Sequence, residues 1–194
     1  MEIILNELIK FDRAWKKFCE FYEKYGSHKE KGYVQKEHAS YMGKYFWSEQ
    51  DVVLHLSRFL EEEFGVGWIH NELSVSKHTF KNFEKEKESK GEIDIVISNP
   101  EKYGGNWRES HEVFIEVKQI TKGMIFNDAK KKIEGAKEDF EKLSRQCRND
   151  RCHHAFVCIV DDDPENSQID KNIINKWKSN SKCDVNLRLW QPSS

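Results

Sequence analysis

Along the first 25 residues, apolar side chains fall at Ile4, Leu5, Leu8, Ile9, Phe11, Trp15, Phe18, Cys19 and Tyr22. Steps of three and four predict an amphipathic helix over residues 3–25, with Gly26 placed to end it. Residues 27–47 show no period and become aromatic toward their end, at Tyr41, Tyr45, Phe46 and Trp47. That stretch reads as irregular or short helix. Ser48 and Asp51 then have the spacing of a capping box and open a second helix to about Glu63, before Gly65, with Val53, Leu56 and Leu60 turned inward. One turn back from Val53 stands Glu49, a carboxylate on or beside the face that packs inward.

The periodicity then changes from helical to strand-like. WIHNELSV (68–75) reads as a strand, the highly charged residues 76–90 as a solvated loop or hairpin, and EIDIVIS (92–98) as a second strand. In that second strand Ile93, Ile95 and Ile97 share one face, and Glu92, Asp94 and Val96 the other. A turn-rich connection (99–110) leads to EVFIEVKQI (112–120), where Val113, Ile115 and Val117 alternate with Phe114, Glu116 and Lys118. Ala129, Ile133, Ala136, Phe140 and Leu143 mark a helix from about residue 128 to 146. HAFVCIVDD (154–162) is apolar enough for a strand covered on both faces, residues 169–178 fit a short helix, and DVNLRLW (184–190) fits a last strand. The expected fold is α/β, a mixed central sheet flanked by helices. Residues 1–47 form an N-terminal helical extension packed on the core, and residues 48–194 an α/β core that ends in a helix and a strand.

A length of 194 residues suits one such domain. The net charge of −2 provides no overall basic field, so nucleic-acid binding would have to rest on a local patch. No run of about 18 apolar residues occurs, and the N-terminus carries acids where a secretory signal carries bases. The expectation is a soluble, cytoplasmic protein with no membrane partner. The five cysteines, an odd number, fit reduced thiols better than a disulfide framework.

The chemistry concentrates on two neighbouring strands. Asp94 and Glu116 each sit in the middle of an apolar run, and burying two carboxylates costs several kcal/mol unless cations compensate them. A divalent metal does so directly, and Mg²⁺, for which Mn²⁺ can substitute, favours one or two carboxylates with water and phosphate oxygens. Lys118 stands about 6 to 7 Å beyond Glu116 on the same face, where its ammonium can hold or help deprotonate a water and stabilise charge on a phosphate. A metal, two acids and a lysine suffice for phosphodiester hydrolysis.

Asp94 in GEIDIVIS, followed by Glu116 and Lys118 in FIEVKQ, resembles the PD-(D/E)XK nuclease superfamily of restriction endonucleases, junction resolvases and repair nucleases. The resemblance spans residues 48–161 and implies a restriction-endonuclease-like core of helix, three strands, helix and strand. It implies that Asp94 and Glu116 bind metal together with the Val117 main-chain carbonyl, that Lys118 is the catalytic lysine, and that Glu49 matches an acid many members carry on the first core helix. Ile93 stands where the family name has proline. The implied function is a Mg²⁺-dependent endonuclease acting on DNA in restriction, defence, repair or recombination. The alternative is a non-catalytic nucleic-acid-binding or assembly module on the same fold, and an RNA substrate is a further reading.

Other clusters carry less. Lys16, Lys17, Lys130, Lys131, Lys137, Lys142 and Arg145, with Arg148 and Arg151, form either solvated helix faces or a DNA-tracking surface. Cys147, Cys152, His153 and His154 invite a zinc reading, although their spacing is not that of a finger or ribbon. The aromatic stretch 41–47 either packs the first helix on the core or makes a homodimer contact.

Overall fold

The computed structural model describes residues 2–25, 48–75, 91–102, 111–121, 124–148, 152–169, 177 and 185–192. The charged stretch 76–90, the aromatic stretch 27–47 and almost all of the helix expected at 169–178 lie outside the described residues.

The chain is an α/β protein built on one five-stranded mixed sheet. Helices α1 (Glu2–Tyr25) and α2 (Glu49–Phe64) precede strands β1 (Ile69–Val75), β2 (Gly91–Ser98) and β3 (His111–Ile120). Helix α3 (Phe126–Arg148) leads to β4 (His154–Asp161), a single turn α4 (Pro164–Ser167) and β5 (Val185–Trp190). The strands follow chain order across the sheet; β1, β2 and β3 are antiparallel neighbours, and β3, β4 and β5 run parallel. Parallel pairing of β3 with β4 requires a crossover, which α3 supplies.

Each sheet face has its own core. Helices α1 and α2 pack together on one face, where Phe11, Phe18, Tyr22, Leu56 and Leu60 meet Ile95, Ile115, Val117, Phe156 and Cys158. The Phe11 ring stacks on Phe156 at 3.5 Å, so α1 is part of this core. On the other face α3 lays Ala129, Ala136, Phe140 and Leu143 over Val96, Phe114, Val157 and Ile159. Every residue of β4 is buried, the outcome for a strand with helices on both sides. The Ser48 N–H donates to the Asp51 carboxylate over 2.9 Å and caps α2, which fixes Glu49 in its first turn.

The pairing of β2 with β3 is irregular at both of its ends. Pairing of β2 with β3 stops at Ile95 opposite Ile115, and from there β2 continues beside β1 alone. Ile93 correspondingly packs with the α3-side core, whereas simple alternation predicts that it shares the face of Ile95 and Ile97. The strand turns once its neighbour is gone. At the other end Ile97 faces Val113 but Ser98 faces His111, so Glu112 is an extra residue on β3, a β-bulge.

Candidate active site

Where β2 leaves β3, the amides of Val117 and Gln119 face the side on which a strand would have continued. Buried main-chain N–H groups need acceptors, and two carboxylates supply them. Asp94 Oδ2 accepts from Val117 N over 2.7 Å, and Glu49 Oε2 accepts from Gln119 N over 3.3 Å. The two acids thus come from different elements, Asp94 from the departing strand and Glu49 from the start of α2. Continuing the β2–β3 register one step beyond Ile95 and Ile115 sets Asp94 beside Glu116.

Glu116 and Lys118 point toward α3, which meets them with one stripe of its own. Lys132, Gly135, Asp139 and Lys142 recur in steps of three, four and three and therefore line one helical face. Lys142 pairs with Glu116 and, at 3.2 Å, with Asp139. Lys118 Nζ lies 2.8 Å from Asp139, 3.5 Å from Glu49 and 3.1 Å from the Val117 carbonyl oxygen that accepts from it. Lys132 reaches Glu49 at 2.7 Å. The Lys118 stem runs close to Gly135, 3.7 Å from where a Cβ would stand.

Burial dominates the electrostatics of Glu116, whose side chain is 3% exposed. It pushes this carboxyl well above the usual range; Lys142 opposes the shift, and the negative charges of Asp94 and Asp139 add to it. For Lys118 burial works against the ammonium, but Asp139 and Glu49 outweigh it and hold the group above the ordinary lysine value. Lys118 is accordingly a fixed cation in this arrangement. It can donate hydrogen bonds and stabilise negative charge.

The structure therefore brings Glu49, Asp94, Glu116, Val117 and Lys118 into one neighbourhood at the C-terminal end of β3. Sequence reasoning missed Asp139 and Lys132 and placed Lys142 on a helix face that was either solvated or DNA-tracking. Lys142 is instead turned inward, with only 21% of its side chain exposed. The available signal was the stripe itself, offset by one position from the apolar series Ile133, Ala136, Phe140 and Leu143. Lys130 and Lys137 do lie on the surface, each paired with a glutamate four residues on. The Cys147–His154 cluster does not converge: the two cysteine sulfurs lie 3.3 Å apart, while His153 turns to Glu112. None of the described cysteines forms a disulfide, and no described helix is long and apolar enough to cross a membrane.

No protein-family model matches the chain, and neither a curated relative nor a similar solved structure was found.

Proposed function

We propose that the chain is a metal-dependent endonuclease of the PD-(D/E)XK type acting on DNA, with a restriction-endonuclease-like core formed by α2, β1, β2, β3, α3 and β4. The observation that carries this reading is the convergence of Asp94, Glu116 and Lys118 at the parting of β2 and β3, with Glu49 against the lysine. Asp94 and Glu116, with the Val117 carbonyl, offer only oxygen donors, a set that fits Mg²⁺ or Mn²⁺. Such an ion, when bound, would polarise a phosphoryl oxygen as a Lewis acid and lower the pKa of a water bound to it.

The chain's own groups supply the rest. With all of them ionised, Glu49, Asp94, Glu116 and Asp139 set four negative charges against three lysines, 118, 132 and 142. The neighbourhood is left one charge negative, and a divalent ion would make it one charge positive, the complement of a single phosphodiester. Lys118, held protonated by Asp139 and Glu49, stabilises the charge that develops on the phosphate. Lys142 keeps the buried Glu116 compensated when no divalent ion is present.

That last pair also favours the second reading, a non-catalytic module, because each acid of the site already has a cation or an amide. A cleavage assay on linear, nicked, single-stranded and branched DNA with Mg²⁺, Mn²⁺ or EDTA separates the two. Cleavage that needs metal and disappears in Asp94→Asn supports the nuclease. Absence of cleavage across the panel, by folded protein, overturns it in favour of the module. Cleavage of RNA alone would move the substrate class and leave the site.

A further inference from the structure

At the opposite end of β3 a second group of ionisable side chains converges. The bulge at Glu112 breaks the alternation of the strand: His111 stays on the α3 side, in contact with Phe114 and Ser98, while Glu112 turns with Val113 toward α1. There it meets Glu7 of α1 and His153, the residue just before β4. One ligand atom from each of the three lies within 4.8 Å of the other two. His153 is fixed from the main chain, its N–H donating to the Glu112 carbonyl over 2.9 Å.

Glu112 is 2% and Glu7 10% exposed at the side chain. The outer oxygen of Glu112 is held by Lys102. Oε2 of Glu7 has no hydrogen-bond donor among the described residues, and the inner oxygen of Glu112, Oε2, faces the same spot. His153 Nδ1 lies 2.6 Å from the Glu112 oxygen and 3.7 Å from the Glu7 oxygen, an ion pair with both when the imidazole is protonated. Two buried carboxylates this close repel one another, and an orphaned buried oxygen costs about 1–3 kcal/mol, more when charged.

We propose that Glu7, Glu112 and His153 bind a divalent transition-metal ion of the zinc class, which staples α1 to the sheet. One imidazole nitrogen with two carboxylate oxygens is a donor set for zinc or its neighbours, whereas the oxygen-only set at the other end of the strand suits magnesium. His153 is half-exposed, which leaves one side of the ion open to water. His154 Nε2, 3.8 Å from Glu7 Oε2, stands next to the site and is not needed to complete it. Glu112 precedes Glu116 by four residues, about 13 Å along the strand, so one ion cannot serve both places.

The test titrates Zn²⁺ by calorimetry, and Co²⁺ by its visible absorption, into EDTA-stripped full-length protein. Wild type, Asp94→Asn, Glu7→Gln and His153→Ala are compared. The site predicts one tight equivalent in wild type and in Asp94→Asn, a Co²⁺ spectrum with a nitrogen ligand, and a rise in Tm on adding zinc. His153→Ala and Glu7→Gln should weaken binding by at least the roughly 10–100-fold that loss of even an outer-shell partner causes. The half-exposed His153 can be replaced without opening the core, so this arm stands even if Glu7→Gln fails to fold. Zinc binding that is absent in wild type, unchanged in His153→Ala, or abolished only by Asp94→Asn would overturn the proposal.

Discussion

Asp94 accepts a hydrogen bond from the Val117 main-chain N–H over 2.7 Å, taking the place of the strand whose pairing ends at Ile95 opposite Ile115. The carboxylate is therefore part of the sheet's own hydrogen bonding as well as a charge beside Glu116. An amide oxygen can accept the same bond. Asp94→Asn should consequently fold with a Tm near that of wild type and lose metal-dependent cleavage. A melt and a cleavage time course on one preparation check both halves, and a large loss of Tm would show that the charge is structural.

Lys118→Ala should keep metal binding, since Asp94, Glu116 and the Val117 carbonyl remain. Cleavage should fall by about 10²–10³-fold, the loss typical of removing a fixed donor that stabilises transition-state charge. Calorimetry with Mg²⁺ and single-turnover kinetics separate the two effects. Equal cleavage by the variant would remove Lys118 from the mechanism.

Glu116 fixes the sign of a pH effect. Its folded pKa lies above the ordinary 4.5, so the stability it contributes when protonated is fully present below about 4.5 and is lost as pH rises through the raised value. Glu116→Gln is neutral throughout. In EDTA, its Tm should match wild type most closely at pH 4 and exceed it increasingly toward pH 8, by about 2–4 °C for each kcal/mol. Melts at several pH values read this directly, and a difference that shrinks with pH would contradict it.

Gly135 sits inside a 23-residue helix, where glycine costs roughly 1 kcal/mol relative to alanine. A Cβ there would meet the Lys118 stem at 3.7 Å, an ordinary contact. Gly135→Ala should raise stability in a urea titration by about 0.5–1 kcal/mol and leave cleavage unchanged. Lower activity would mean that Lys118 needs that space to move.

Tyr22 of α1 donates to Asp162 over 2.6 Å and accepts from the Gln119 side chain over 3.1 Å, both in the core. Tyr22→Phe removes both bonds while preserving the ring, and should cost about 1–3 kcal/mol by denaturant unfolding. A change within a few tenths of a kcal/mol would mean that the two partners find substitutes.

The elements were legible because their apolar periods are clean: both N-terminal helices, the five strands and α3 lie within a few residues of where pattern alone puts them. Glu49 was visible as a charge on an inward stripe. Glu7 offered the same signal, one turn before Phe11 on α1, and went unread. What one strand cannot disclose is its partner's register. The bulge that re-aims Glu112 and the parting that turns Ile93 both arise between β2 and β3, so alternation within either sequence gives no warning. Lys142 shows a second limit, since a lysine on a charged helix looks solvated until the carboxylate beneath it is located.

Gln119 lies between the two halves of the site's support: its N–H holds Glu49, and its side-chain amide holds the Tyr22 hydroxyl. The Tyr22 ring in turn stands edge-on to the indole of Trp190, with centroids 4.8 Å apart. A shift of Glu49 is thereby coupled through a single glutamine to an intrinsic fluorophore. Trp190 emission offers an optical gauge of events beside Lys118 that needs no attached label, and Trp190→Phe would assign the signal among the six tryptophans.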